Sequence, residues 1–202
     1  MRPIRILLAL TLGGAVCASA HAKESPGPTP SGCHAGISKA SPQKSASAPA
    51  KPQVALANAS EARACFESLA DSALLAMKTR AAALKVGGVA VVAYFDGDKV
   101  ESWSSRMLVV DRLKDEPSST QKGSNLLGIA YAKAAEMADT LKNSGSQVRP
   151  PLTGEFGWEG GVIARTKNGY LIAAFSGGQS SDDVDISHVG VAQILNQLNT
   201  AQ

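Results

Sequence analysis

The stretch from Phe156 to Gly190, FGWEGGVIARTKNGYLIAAFSGGQSSDDVDISHVG, constrains the fold more than any other part of the chain. Asn168-Gly169 sits between two apolar runs, Val162 to Ala164 and Tyr170 to Phe175. An Asn-Gly pair in that setting is the strongest short hairpin signal, because a type I′ turn needs φ > 0 at both central residues. Ser176-Gly177-Gly178 then permits a sharp exit from the second strand. Ser180 or Ser181 is placed to cap a helix that carries Asp182, Asp183 and Asp185 near its start, where carboxylates suit the dipole. A Gly-Gly turn before a helix also has the form of an anion cradle, but these carboxylates stand where an anion would sit, so plain capping is the favoured reading.

The front of the chain has a different character. Met1 to Ala22 reads as a secretory signal peptide, with Arg2 and Arg5 before an apolar run from Ile6 to Val16 and small residues up to Ala22. That run is short of the roughly 20 apolar residues a membrane helix needs, so no transmembrane segment is expected. Val16 stands before Cys17 where a lipoprotein would carry a small residue. The expected location is periplasmic or secreted. Loss of Arg2 and Arg5 with the leader leaves 18 basic side chains against 17 acidic ones. Nothing in that balance suggests a nucleic-acid surface, which would need clustered Lys and Arg on one face.

Residues 23–55 hold six of the ten prolines, mixed with Ser, Ala and Lys, and are expected to form a disordered linker that buries too little apolar surface to order itself. Cys33 and Cys65, left after the leader is removed, are a candidate disulfide in an oxidising compartment; two independent thiols are the alternative. Cys33-His34 lacks further ligands at suitable spacing, and no metal site is assigned there.

Residues 56–202 are expected to form one domain. Phe66, Leu69, Ala70, Ala73, Met77, Ala81 and Leu84 recur at helical steps, so one long helix or two short ones both fit. Asn58 with Glu61 makes a candidate capping box, Asp71-Ser72 a candidate second cap, and Gly87-Gly88 the stop. Val89 to Phe95 is a β-rich run, Asp96-Gly97 a hairpin turn, and Lys99 to Met107 a more polar second strand. Leu126 or Leu127, Ala130, Ala134, Met137 and Leu141 define an amphipathic helix from Ser124 to Asn143. A further strand is expected near Thr153 to Trp158, and Val184, Val191, Ile194 and Leu198 share one face of a last helix. Adjacent turn-linked strands predict an α+β fold: an antiparallel sheet of four to five strands, in two hairpins, with helices packed on it in profilin-like or PAS-like layers.

In the order and spacing of their short motifs, residues from about Leu69 to Ile194 resemble the GlcG/HbpS haem-binding family. The matching features are Ala81-Ala82-Ala83 leading to Val89 to Tyr94, then Asp96-Gly97, Arg106-Met107, Lys133-Ala134, Gly160-Gly161, Ser176-Gly177, and Asp183 followed by Gly190. The chain departs from the family pattern at Leu108-Val109-Val110, at Val162-Ile163, and at Ala135 to Met137, where a threonine often stands. The resemblance implies a compact helix-covered sheet, often a homo-oligomer, in an exported protein that binds haem or another small planar ligand, and that sequesters or degrades it.

Haem iron takes His, Met, Cys or Tyr as axial ligand, and its propionates take cations. The candidates are His188, the lone histidine of the expected domain, with Met107, Met137 and Tyr131 as alternative ligands; Arg106 and Lys133 are candidate propionate partners. Each has a plainer reading: an exposed helix histidine, core methionines, a boundary tyrosine, and cations that serve solubility. His188 has no identifiable nucleophile partner in a Ser-His-Asp or Cys-His arrangement, so no catalytic residue is assigned. Two other functions fit the same sequence: a non-enzymatic module that meets a sensor or another protein at the cell envelope, and an accessory factor for small hydroxy-acid metabolism.

Overall fold

The computed structural model describes residues 51–200, with side chains placed for residues 60–197. The signal peptide expected over 1–22, most of the linker expected over 23–55, and Cys33 lie outside the described residues. The fold is α+β. In chain order it runs α1 (Lys51–Leu84), β1 (Gly88–Asp96), β2 (Ser104–Val110), β3 (Lys114–Asp115), β4 (Ser124–Asn125), α2 (Leu126–Thr140), β5 (Gly161–Arg165), β6 (Gly169–Ser176) and α3 (Ser180–Thr200). Four strands form one antiparallel sheet in the order β2-β1-β6-β5, and β3 and β4 form a separate two-stranded ladder. No helix among the described residues is long and apolar enough to cross a membrane.

The unbroken apolar run of β1 is explained by its position. It is a central strand, and helices cover both of its faces. Ala90, Val92 and Tyr94 point toward α1 and α3, where Phe66, Ala73, Met77 and Ala81 meet Ile186 and Ile194. Val89, Val91, Ala93 and Phe95 point the other way, toward Leu126, Ala130, Ala134 and Met137 of α2. Period-2 alternation therefore sorts one strand between two cores. The periodic apolar residues read from α1 all belong to the first of these.

Several local expectations give way to tertiary contacts. α1 is one continuous helix: it begins upstream of Asn58, so the expected capping box does not form, and Ser72 donates to the Leu69 carbonyl instead of capping a second helix. The left-handed residue that ends α1 is Lys85 (φ 57), not a glycine. Gly88 serves a different purpose, since a Cβ there would lie 2.1 Å from the Ser176 carbonyl oxygen on β6. β2 starts later than expected, at Ser104, leaving 97–103 as a loop. Its register with β1 carries Leu108 and Val110 inward, while Lys99 and Glu101 stay in water. No strand forms over Thr153 to Trp158. Gly154 and Gly157 there adopt left-handed angles that a ladder cannot hold.

The β5–β6 hairpin forms, but not with the expected turn. The Thr166 N–H donates to the Gly169 carbonyl, so Lys167 and Asn168 are the central residues, and neither has a positive φ. Gly169 already belongs to the ladder, paired with Asp96, and a Cβ on it would lie 2.0 Å from the Phe95 carbonyl oxygen. The glycine is thus required by the approach of β1, not by turn geometry. Gly169→Ala should lower the unfolding free energy by about 2 kcal/mol, as expected for overpacking. Asn168→Ala should stay within roughly 0.5 kcal/mol, as for a neutral surface change. Urea melts of the two variants check this; equal losses would restore the turn explanation.

Candidate functional site

Ile129, Lys133 and Met137 follow one another at four-residue steps on the buried face of α2, so the helix carries a cation into the interior. Lys133 Nζ donates to Asp183 Oδ2 and to the Phe175 carbonyl, each at 2.8 Å. The side chains of Lys133 and Asp183 are only 4% and 5% exposed. Asp183 Oδ1 accepts the Gly178 N–H at 2.9 Å. The carboxylate therefore fills the glycine turn's cradle itself and is not a simple cap of α3. Gln179 takes the capping position, its carbonyl accepting the N–H groups of Asp182 and Asp183. Loss of water raises the Asp183 pKa above its usual value, opposed by the Lys133 ammonium and the amides of Gly178 and Gly177.

Gly160 makes the pair possible. It has φ +130, and a Cβ on it would stand 2.2 Å from Lys133 Nζ and 2.8 Å from Asp183 Cβ. Its carbonyl accepts the Phe175 N–H at 3.0 Å and the Ser187 hydroxyl at 2.8 Å. Lysine, glycine, strand and last helix are locked together at the start of β5.

The pair forms the floor of a cavity of about 150 Å³. Leu126 and Ile129 supply an apolar wall, Ser124 and Ser176 hydroxyls, and Trp158 with Glu159 the outer side. Ser176 is only 4% exposed, and its hydroxyl makes no hydrogen bond among the described residues. Asp115 also lines the space and is paired with Arg112 at 2.7 Å. At about 150 Å³ the cavity is well under the ~300–1,000 Å³ typical of drug-sized ligands.

The irregular segment 141–160 holds Trp158 at the cavity. Ser144 Oγ accepts the Gly161 N–H at 2.8 Å, and the Asn143 side chain accepts the Ile163 N–H at 3.1 Å, giving edge strand β5 side-chain partners. Arg149 grips both Glu155 oxygens, at 2.7 and 2.9 Å, and also Asp139 of α2 at 2.6 Å. The Glu155 carboxyl is held down to about 2 by the Arg149 guanidinium and the Leu152 N–H.

The six haem candidates do not converge. Met107 and Tyr131 do come together, in a half-buried cluster with Leu127 on the α2 side of the sheet. Trp103 adjoins them, its ring centroid 6.3 Å from that of Tyr131, whose hydroxyl is 3.3 Å from Ser105 Oγ. Met137 is fully buried and packs against Gly161. Arg106 points to the opposite face of the sheet and pairs with Glu67 of α1 at 2.9 Å. Lys133 is committed to Asp183. His188 is exposed on α3, in the other helical layer. Cys65 lies on α1 and is disulfide-bonded; Cys33 is not among the described residues. No group of three or more His, Cys, Asp or Glu side chains among the described residues is placed to hold a metal ion. Neither a protein-family model nor a curated protein matches the chain.

Sequence reasoning missed the Asp183 partnership, the Ser176 hydroxyl and the Trp158 wall. One signal was present: a lysine inside the apolar stripe of α2 demands a buried acceptor.

Lys133→Met should cost about 3–5 kcal/mol, because it strands a buried carboxylate. The double variant Lys133→Met/Asp183→Asn, which removes both charges and keeps an acceptor for Gly178, should recover more than half of that loss. Urea midpoints test this; no recovery in the double variant would refute it. A second expectation concerns acid. Because the folded Glu155 pKa is depressed, its contribution is complete above the ordinary value of about 4.3 and disappears as pH falls toward about 2. The stability gap between wild type and Glu155→Gln should therefore close across that window, as followed by thermal melts at a series of pH values.

Proposed function

We propose that this is an exported haem-binding protein. The site is the half-buried shelf beside α2, with Met107 or Tyr131 as the iron donor and Trp103 and Leu127 against the porphyrin face. One observation carries this reading: a thioether and a phenol, both donor types that haem iron accepts, lie in one apolar cluster on the flank of the sheet next to edge strand β2. The exposed Val109 continues the apolar surface along β2. The motif order set out above supports the same reading. The cavity over Lys133 and Asp183 is too small for a porphyrin, and Arg106 and Lys133 already have carboxylate partners, so the propionates are left to solvent. Bound haem would supply iron chemistry; the chain's own part is to hold the ring and shield one face from water. Sequestration needs no more than this.

A second reading, a non-enzymatic interaction module at the cell envelope, is favoured by a different feature. Val148, Leu152, Phe156 and Trp158 are all exposed on the single segment 141–160. Phe156 and Trp158, their ring centroids 4.8 Å apart, form an exposed aromatic pair there, and exposed apolar patches mark contact surfaces.

Haemin titration of the purified chain separates the two. The haem reading expects a saturable Soret shift at micromolar haem, altered by Met107→Ala or Tyr131→Phe and unchanged by His188→Ala. No saturable change sinks it, and loss of the spectrum in His188→Ala moves the site to α3. A haem-inert chain that captures an envelope partner supports the second reading.

A further inference from the structure

The cavity above Lys133 and Asp183 shares Leu126 with the core beneath the Met107–Tyr131 shelf, but its chemistry is different. The charges around it are already matched with one exception. Lys133 is paired with Asp183, and Asp115 with Arg112. Glu159 lines the outer side, is exposed, and makes no ion pair among the described residues. Beside it stands Trp158, 51% exposed, whose ring meets Phe156 with centroids 4.8 Å apart. A free carboxylate next to an accessible indole favours a cation, because the ring face is electron-rich.

The inner end asks for something else. The Lys133 ammonium has three N–H groups and spends two of them, on Phe175 and Asp183. The Ser176 hydroxyl, on a residue only 4% exposed, reaches the cavity surface and has no partner among the described residues. Both suit one ligand oxygen that accepts from the ammonium and exchanges a hydrogen bond with the serine. That oxygen should be uncharged. The Asp183 carboxylate already occupies the Gly178 amide, and a second carboxylate beside it would meet like charge in a poorly solvated space. The apolar wall of Leu126 and Ile129 fits the short carbon link between the two ends.

We infer that this cavity binds a small amino alcohol, its ammonium at Glu159 and Trp158 and its hydroxyl at Lys133 and Ser176. A volume of about 150 Å³ accommodates such a molecule. The site can fill whether or not the shelf takes haem.

The test is saturation-transfer NMR on the purified full chain in an amine-free buffer, with ethanolamine as the probe and ethylene glycol and acetate as comparisons. Ethanolamine should bind saturably, ethylene glycol at least about threefold more weakly, and acetate not at all. Ser176→Ala should weaken ethanolamine about fivefold, the worth of one hydrogen bond. Trp158→Ala and Glu159→Gln should each weaken it about threefold, as for exposed cation–π and ionic contacts. Both of these side chains are exposed, so the variants should keep the fold, checked by their melts. Failure of ethanolamine to saturate, tighter binding of acetate, equal binding of ethylene glycol, or unchanged affinity in all three variants would each overturn the assignment. Haemin titration reads the other site and is unaffected by these outcomes.

Discussion

The buried pair of Lys133 and Asp183 links α2 and α3 directly, although the two helices pack on opposite faces of the sheet. α2 covers one face of the sheet and α3 the other, and the lysine reaches past Gly160 to connect them while also holding the Phe175 carbonyl of β6. Taking both charges out of water costs several kcal/mol per ion, and only close geometry with further hydrogen bonds offsets that. The structure supplies both. Each ion has a second partner, and the glycine between them leaves the space. A pair of this kind does little for net stability beyond what apolar side chains would give. It does restrict how α2, β6 and α3 can be arranged, because any other arrangement leaves a charge buried alone.

Layering follows from the same geometry. α1 and α3 lie side by side on one face, wide enough to cover β1, β6 and much of their neighbours, whereas α2 is alone on the other. A single helix is narrower than a four-stranded sheet, with strands about 4.8 Å apart. The α2 side of β2 is therefore only half covered, and Trp103, Met107 and Val109 remain partly open there. On the opposite flank of α2, the irregular 141–160 segment fills the equivalent space, pinned by Arg149 and by the Ser144 and Asn143 contacts to β5. The asymmetry leaves two different surfaces beside one helix: an apolar shelf carrying a thioether and a phenol, and a small polar cavity with one carboxylate that has no ion pair among the described residues.

These surfaces differ in what they can hold. The shelf is apolar and half-buried, and carries a thioether, a phenol and an indole. The cavity presents hydrogen-bond donors inside and an acceptor and an aromatic ring outside, which suits a short molecule of mixed character. His188, one of the candidate axial ligands, is exposed on the far helical layer.

The sequence by itself determined the three helices, the strands of the two hairpins and the unbroken apolar run of β1. Helical spacing in α1, α2 and α3, the apolar run of Val89 to Phe95 and the adjacency of paired strands all depend on local periodicity, which single residues report faithfully. Half of the candidate shelf, Met107 and Tyr131, was also visible as residue chemistry, as was the anomalous lysine in the stripe of α2. Only the tertiary structure decided which residues meet. Gly88 and Gly169 read as a stop and a turn, yet both are glycines because another strand's carbonyl comes within about 2 Å of where a Cβ would be. Asp183 read as a helix cap and became the counterion of a residue 50 positions away. Such roles depend on distances between segments remote in the chain, and no local pattern encodes those distances.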